Sequence, residues 1–141
     1  SGLIIPDLPH EEAQKYAQLF SDNNLSNISF VAPTDSRERI GTIITDSSKF
    51  IYLVAYAGIT GSGASEDLQK IITDIREFTQ TPVFVGFGVN AKTAKSKVEG
   101  VDGVIVGSAF INILLNEQIS YSQKIQTCSA LAKEIKNKIN E

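Results

Sequence analysis

Asp102-Gly103-Val104-Ile105-Val106-Gly107-Ser108-Ala109-Phe110-Ile111 is the stretch on which the reading of the fold turns. Val104-Ile105-Val106 is a short β-branched run without polar alternation, as expected of a strand buried on both faces. Gly107-Ser108 then makes a tight exit, and a short apolar helix follows through Phe110, Ile111, Leu114 and Leu115. Such an exit suits an anion. Glycine lets backbone N–H groups come close, the leading turn of the helix offers unpaired donors and a positive dipole end, and the Ser108 hydroxyl adds another donor.

Toward the N-terminus the same grammar repeats. Apolar runs occur at Leu3-Ile4-Ile5, Ile28-Ser29-Phe30-Val31, Phe50-Ile51-Tyr52-Leu53-Val54 and Val83-Phe84-Val85, and each precedes a helical pattern. Pro9 suits a first helical position, with Glu11 and Glu12 favourable for the dipole and Ala13, Tyr16, Ala17 and Phe20 on one face. Asp35 and Glu38 have capping-box spacing ahead of Ile40, Ile43 and Ile44. Ser65 reads as the cap of a helix with Leu68, Ile71, Ile72 and Ile75 inward, and Asn90 as the cap of one with Ala94 and Val98 inward. A last helix starts at Ser120, with Ile125, Cys128, Ala132, Ile135 and Ile139 on its stripe, so Cys128 reads as a small core residue.

Five alternating β and α units imply a parallel sheet with right-handed crossovers in one domain, residues 1–141. Either a five-stranded doubly wound sandwich or a consecutive piece of a (β/α)8 barrel would satisfy that pattern, and length alone favours the sandwich. The loops favour the barrel. A doubly wound phosphate binder places its glycines after the first strand, where this chain has Asp7-Leu8-Pro9-His10. Here the glycines come late, in Gly58-Ile59-Thr60-Gly61-Ser62-Gly63, Gly86-Phe87-Gly88 and Gly107-Ser108. Late loops and an extra short helix around a phosphate are the recurrent barrel arrangement.

Composition sets outer bounds. Hydrophobic residues at 42% and charged residues at 21% are ordinary for a globular chain. A net charge of −3 argues against nucleic acid or an anionic membrane as partner. No apolar run reaches the roughly 18 residues of a spanning helix. No signal peptide is visible, and the single cysteine suits the cytoplasm. The chain lacks methionine and begins at the lip of a strand, so it is expected to be a trimmed or clipped piece.

The motifs also resemble a family. Leu3-Ile4-Ile5-Pro6-Asp7-Leu8-Pro9, Ala32-Pro33-Thr34, Tyr52 through Gly61, Val85-Gly86-Phe87-Gly88-Val89 and Asp102 through Ala109 are similar, in order, to strands four to eight of the tryptophan synthase α subunit. The resemblance implies the C-terminal half of that TIM (β/α)8 barrel, with five parallel βα units and an extra short helix after the last strand. It further implies a lyase of tryptophan biosynthesis, cleaving indole-3-glycerol phosphate to indole and glyceraldehyde 3-phosphate by retro-aldol acid/base chemistry. The family's catalytic Glu and Asp lie on strands two and three, so this chain alone is expected to be inactive.

By the resemblance, Gly61, Gly88, Gly107 and Ser108 hold the glycerol phosphate, and Thr60 closes over the substrate and supports the missing aspartate. Tyr52 and Phe87 line the indole pocket, or else belong to the barrel core. Asp7 arranges the site and loops, or else is a turn carboxylate. Ala55-Tyr56-Ala57 departs from the family's Ser-Arg before the loop glycine, which bears on loop closure. His10 matches no catalytic position and reads as helix surface. No metal or cofactor is expected in the chain; pyridoxal phosphate belongs to the partner β subunit. An isolated half barrel has bare sheet edges and is expected to self-associate. Another phosphate-binding barrel, of sugar-phosphate isomerase or thiazole synthase type, and a flavodoxin- or receiver-like module are the alternatives. Neither explains Asp7-Leu8-Pro9 together with Gly58-Ile59-Thr60-Gly61.

Overall fold

A computed structural model describes residues 1–45, 49–54, 62–86 and 100–140, with the side chains of 62–67 left aside. Among the described residues, six strand segments, all parallel, appear in chain order: β1 (Gly2–Leu3), β2 (Ser26–Asn27), β3 (Ser29–Val31), β4 (Ile51–Val54), β5 (Val83–Gly86) and β6 (Gly103–Val104). β1 pairs with β2, and β3, β4, β5 and β6 form a four-stranded sheet. The two sheets join through Ile28, whose N–H donates to Leu3 O at 2.9 Å. Residues 26–31 are therefore one extended segment paired first with β1 and then with β4. Every strand lies beside the next in sequence. A doubly wound sheet reverses its strand order somewhere, and this one does not, which removes the sandwich.

Helices cover one face. α3 (Arg37–Ile44) turns Ile40, Ile43 and Ile44 inward, and α4 (Ser62–Phe78) turns Ile71, Ile72 and Ile75 inward. With Val31, Ile51, Leu53, Val83 and Val85 they form one buried cluster, as the isoleucine periodicity predicts. An ion pair between Arg37 and Glu77 also links these two helices. α5 (Ser108–Leu114) follows β6, and α6 (Tyr121–Ile139) sets Ile135 against Val104, Val106, Leu131 and Ile139.

The opposite face differs from the expectation of strands buried on both sides. Phe30, Tyr52, Phe84 and Gly103 occupy one row across the register, and the three aromatic residues are only half-buried. Phe30 stacks on Tyr52 with centroids 4.9 Å apart, and Phe50 meets Phe84 edge-on at 5.2 Å. Neither buried cluster includes any of these rings.

Several local expectations shift. The first strand stops at Leu3, because Pro6 has no N–H for a ladder and Leu8 N–H turns back to Ile5 O at 3.2 Å. Ile4 is left 47% exposed. Pro9 is the N-cap of α1 (His10–Ala13) and not its first residue; a 3₁₀ turn at Gln14–Tyr16 leads into α2 (Ala17–Asp22). That break rotates the stripe, so Ala13 is buried but Tyr16 and Ala17 are exposed. Ser36 caps α3 in place of Asp35, accepting from Arg39 N–H at 3.2 Å, while Asp35 closes the preceding loop on Ala32 N–H at 2.7 Å. α4 begins at Ser62, so Ser65 is inside it. Ser120 does cap α6, in a full capping box with Gln123. On α6 only Ile135 is buried; Cys128 is partly exposed and Ile125 is 54% exposed. The proposed helix of Asn90, Ala94 and Val98 lies outside the described residues.

At the lower end of the sheet, Asp102 joins three elements. Its Oδ2 accepts from Val83 N–H at 2.7 Å and from Arg76 Nη2 at 2.5 Å, and Arg76 Nη1 donates to Thr81 O at 3.0 Å. Burial pushes the Asp102 carboxyl up, but the Val83 amide and the Arg76 guanidinium outweigh it and hold its pKa below the ordinary 3.8. A lowered folded-state value stabilises fully above 3.8 and is lost as pH falls through the folded value. Urea midpoints followed downward in pH should therefore fall more steeply below 3.8 for the wild type than for Asp102→Asn; parallel curves would refute this role.

Candidate functional site

Because β4, β5 and β6 are parallel and in register, their exits lie at one end of the sheet. Val54 sits beside Gly86, and Ile105 N–H donates to Val85 O at 2.8 Å just before the Gly107 turn. The late loops therefore leave from neighbouring strand ends, as a shared anion site requires. Thr60, Gly61, Phe87 and Gly88, and the Ala55-Tyr56-Ala57 departure, lie outside the described residues.

Gly107 and Ser108 are described, and both are exposed. Gly107 is the N-cap of α5, and its carbonyl accepts from Phe110 N–H at 2.9 Å and Ile111 N–H at 3.2 Å. The Ser108 and Ala109 amides therefore precede the first bonded turn. A Cβ at Gly107 would meet no atom of the described residues within 4 Å. A short helix opening at Ser108 was predicted, and it is present, although Ile111 and Leu114 are about half-exposed at 51% and 49%.

Tyr52 lies on the face of the sheet away from the helices. Its ring lies against Phe30 on one side and leans over Gly86 on the next strand, where any Cβ would overlap the ring and hydroxyl. Phe84 covers Gly103 in the same way, with ring carbons 2.7 and 2.8 Å from an added Cβ. These glycines give the aromatic face room to lie flat. Burial raises the Tyr52 phenol above its ordinary 10.0, so it remains a neutral hydroxyl at neutral pH.

Asp7 is exposed in the turn after β1 and lines a cavity of about 420 Å³ with Phe30, Val54, Asn27 and Arg39. Tyr52, Gly107 and Ser108 are not among its described walls. Arg39 bridges this region, contacting Glu11 at 2.7 Å and Asp35 at 3.2 Å. Its hydrogen bond holds the Glu11 carboxyl below the usual carboxylate range. His10 opens α1, 3.0 Å from the Gln14 amide, and borders the same cavity. Among the described residues, no cluster of three or more His, Cys, Asp or Glu could hold a metal ion. Nor is any helix there long and apolar enough to cross a membrane.

Phe30 and Asn27 were not singled out from sequence. Phe30 carried a usable signal: it is the aromatic residue of its strand, as Tyr52 and Phe84 are of theirs, and the register aligns all three. Asn27 carried none, yet its buried Oδ1 has no hydrogen-bond partner among the described residues.

Comparison with known proteins bears directly on this geometry. The family model described as "Tryptophan synthase alpha chain" matches residues 1–140. The chain belongs to the tryptophan synthase α chain family. The tryptophan synthase α chain of Wolinella succinogenes is 52% identical over 141 residues, 99% of this chain and 55% of that one. That of Synechococcus elongatus is 35% identical over 144 residues, again 99% of this chain and 52% of its own. Among solved structures, the α subunit from Campylobacter jejuni matches with a TM-score of 0.79 at 32% identity, over 89% of this chain and 51% of that one. The α chain from Legionella pneumophila matches with a TM-score of 0.81 at 27% identity, over 99% and 52%. The chain thus spans about half the length of the relatives it matches and has the fold of half of a tryptophan synthase α barrel. The other-barrel, flavodoxin and receiver alternatives give way to this match.

The contact between Tyr52 and Gly86 is open to a direct check. Gly86→Ala should displace the ring and lower stability by about 1–3 kcal/mol, as overpacking does. Tyr52→Ala makes room, so the double variant should be more stable than the sum of the two single losses predicts. Strict additivity in urea denaturation would rule out the contact.

Proposed function

We propose that this chain is the phosphate- and indole-binding half of a tryptophan synthase α-type lyase, which cleaves indole-3-glycerol phosphate to indole and glyceraldehyde 3-phosphate. The observation that carries the reading is the convergence of the β4, β5 and β6 exits at one end of the sheet, with Gly107-Ser108 exposed at the opening of α5. Backbone amides there, with the Ser108 hydroxyl, Gly61 and Gly88, hold the phosphate. Tyr52 and Phe87 offer flat apolar surface to the indole. Thr60 closes over the bound substrate, and Asp7 helps arrange the loops.

Retro-aldol cleavage needs one group to protonate indole C3 and another to take the glycerol hydroxyl proton. The family's Glu and Asp belong to strands two and three, and no carboxylate pair among the described residues is assigned their role, so we take the chain alone to be inactive. Its natural setting is a cytoplasmic complex with the β subunit. Pyridoxal phosphate belongs to that partner, and no residue of this chain is assigned to it.

Calorimetry with glycerol phosphate tests the site. Ser108→Ala removes a charge-assisted hydrogen bond and should weaken binding about tenfold or more, and Gly88→Val should do so by crowding the amides. Equal heats from the wild type and both variants would remove the phosphate assignment.

The bare inner face supports self-association of the isolated chain. Its accessible surface is 8897 Å² for 15.3 kDa, whereas a compact monomer of that mass exposes roughly 7,100 Å². That excess, on one chain, is about twice the roughly 800 Å² that each partner contributes to a standard interface. Leu115 at 71% and Tyr121 at 79% exposure add apolar surface at the α5–α6 corner. Light scattering at micromolar concentration should report dimers or larger species; a compact, stable monomer would contradict this.

A further inference from the structure

We propose that Phe30 is a positioning residue, one that holds the Tyr52 ring over Gly86 and thereby sets the aromatic surface offered to a flat apolar ligand. The proposal rests on the reading of Tyr52 as part of the indole pocket. Phe30 is the register partner of Tyr52 on the adjacent strand, and their rings stack at 4.9 Å with an interplanar angle of 21°. On the far side of Tyr52 is Gly86, where the absence of a Cβ leaves the hollow that the phenol fills. The ring is thus held between an aromatic plane and a backbone. Phe84, the next ring in the row, leans over Gly103 and meets Phe50 edge-on at 82°, so it does not duplicate the stack. Phe30 also borders the cavity that contains Asp7. It therefore touches both described regions of the site through one side chain.

A half-buried tyrosine without this neighbour would have other rotamers open to it, and a ligand would have to select the productive one. Phe30 removes that selection in advance. It acts through Tyr52, and no contact of its own with reacting atoms is invoked.

The test compares Phe30→Leu, which keeps apolar bulk but has no ring, with Phe30→Tyr, which keeps the ring, both in the intact chain. Nuclear magnetic resonance with labelled tyrosine reads the contact between the Tyr52 ring and the Gly86 α-protons, with Tyr52→Phe assigning the signal. The expected result is loss of that contact in Phe30→Leu and its retention in Phe30→Tyr. Indole affinity by calorimetry should fall about three- to tenfold in the leucine variant alone, with glycerol phosphate affinity unchanged. Persistence of the ring contact in Phe30→Leu would overturn the proposal, as would an equal fall in affinity for both ligands. A wild type that keeps the contact but binds no indole would overturn the indole reading of the site, and the ring measurement would still decide the role of Phe30.

Discussion

Burial of the α3 and α4 isoleucines against Val31, Ile51, Leu53, Val83 and Val85 holds the strand register on which the rest of the molecule depends. In a parallel sheet a slip of one residue would exchange the two faces. Phe30, Tyr52 and Phe84 would then point into the helices, and Gly86 would no longer lie beneath the phenol. The core thus does more than stabilise. It places three strand exits side by side and presents one aromatic row on the face away from the helices.

That aromatic row depends on complementary sizes. Tyr52 and Phe84 lie flat because Gly86 and Gly103 leave room on the neighbouring strands. Gly103 is the register partner of Phe84, whereas Gly86 lies two residues beyond Phe84, the partner of Tyr52, so each ring reaches a glycine on the next strand. These rings are half-exposed here and would be covered in a closed barrel, which accords with a chain spanning about half the length of its relatives.

The places of the strands, the α3 and α4 stripes and the Gly107-Ser108 exit were legible in the sequence, because apolar runs and 3.6-residue periodicity report burial, but the runs did not show that the face away from the helices is only half-buried or that β1 and β6 are two residues each. Caps were less legible. Asp35 and Ser36 are adjacent and both suit a cap, and only the loop geometry gives one to the helix and the other to Ala32. The 3₁₀ turn at Gln14–Tyr16 was hidden, since Ala13, Tyr16, Ala17 and Phe20 fit an unbroken helix equally well. Tyr52 could be named from the family motif, but its support by Phe30 comes from a pairing of segments some twenty residues apart, and periodicity within one strand does not encode its neighbour.

The change of partner at Ile28 divides the molecule energetically. β1 is bound to the rest by two register pairs with β2, by Ile28 N–H to Leu3 O and by Ser26 N–H to Ser1 O, and α1 and α2 together bury only Ala13. A second cavity, of about 550 Å³, is bordered by Ala17, Phe20, Ser26 and Asn27 between these helices and β2. Two cooperative units of unequal strength result. Few buried contacts and the exposed Glu11–Arg39 pair join the first βα unit, with Asp7 at its tip, to the isoleucine-rich sheet, so its opening costs less than that of the sheet.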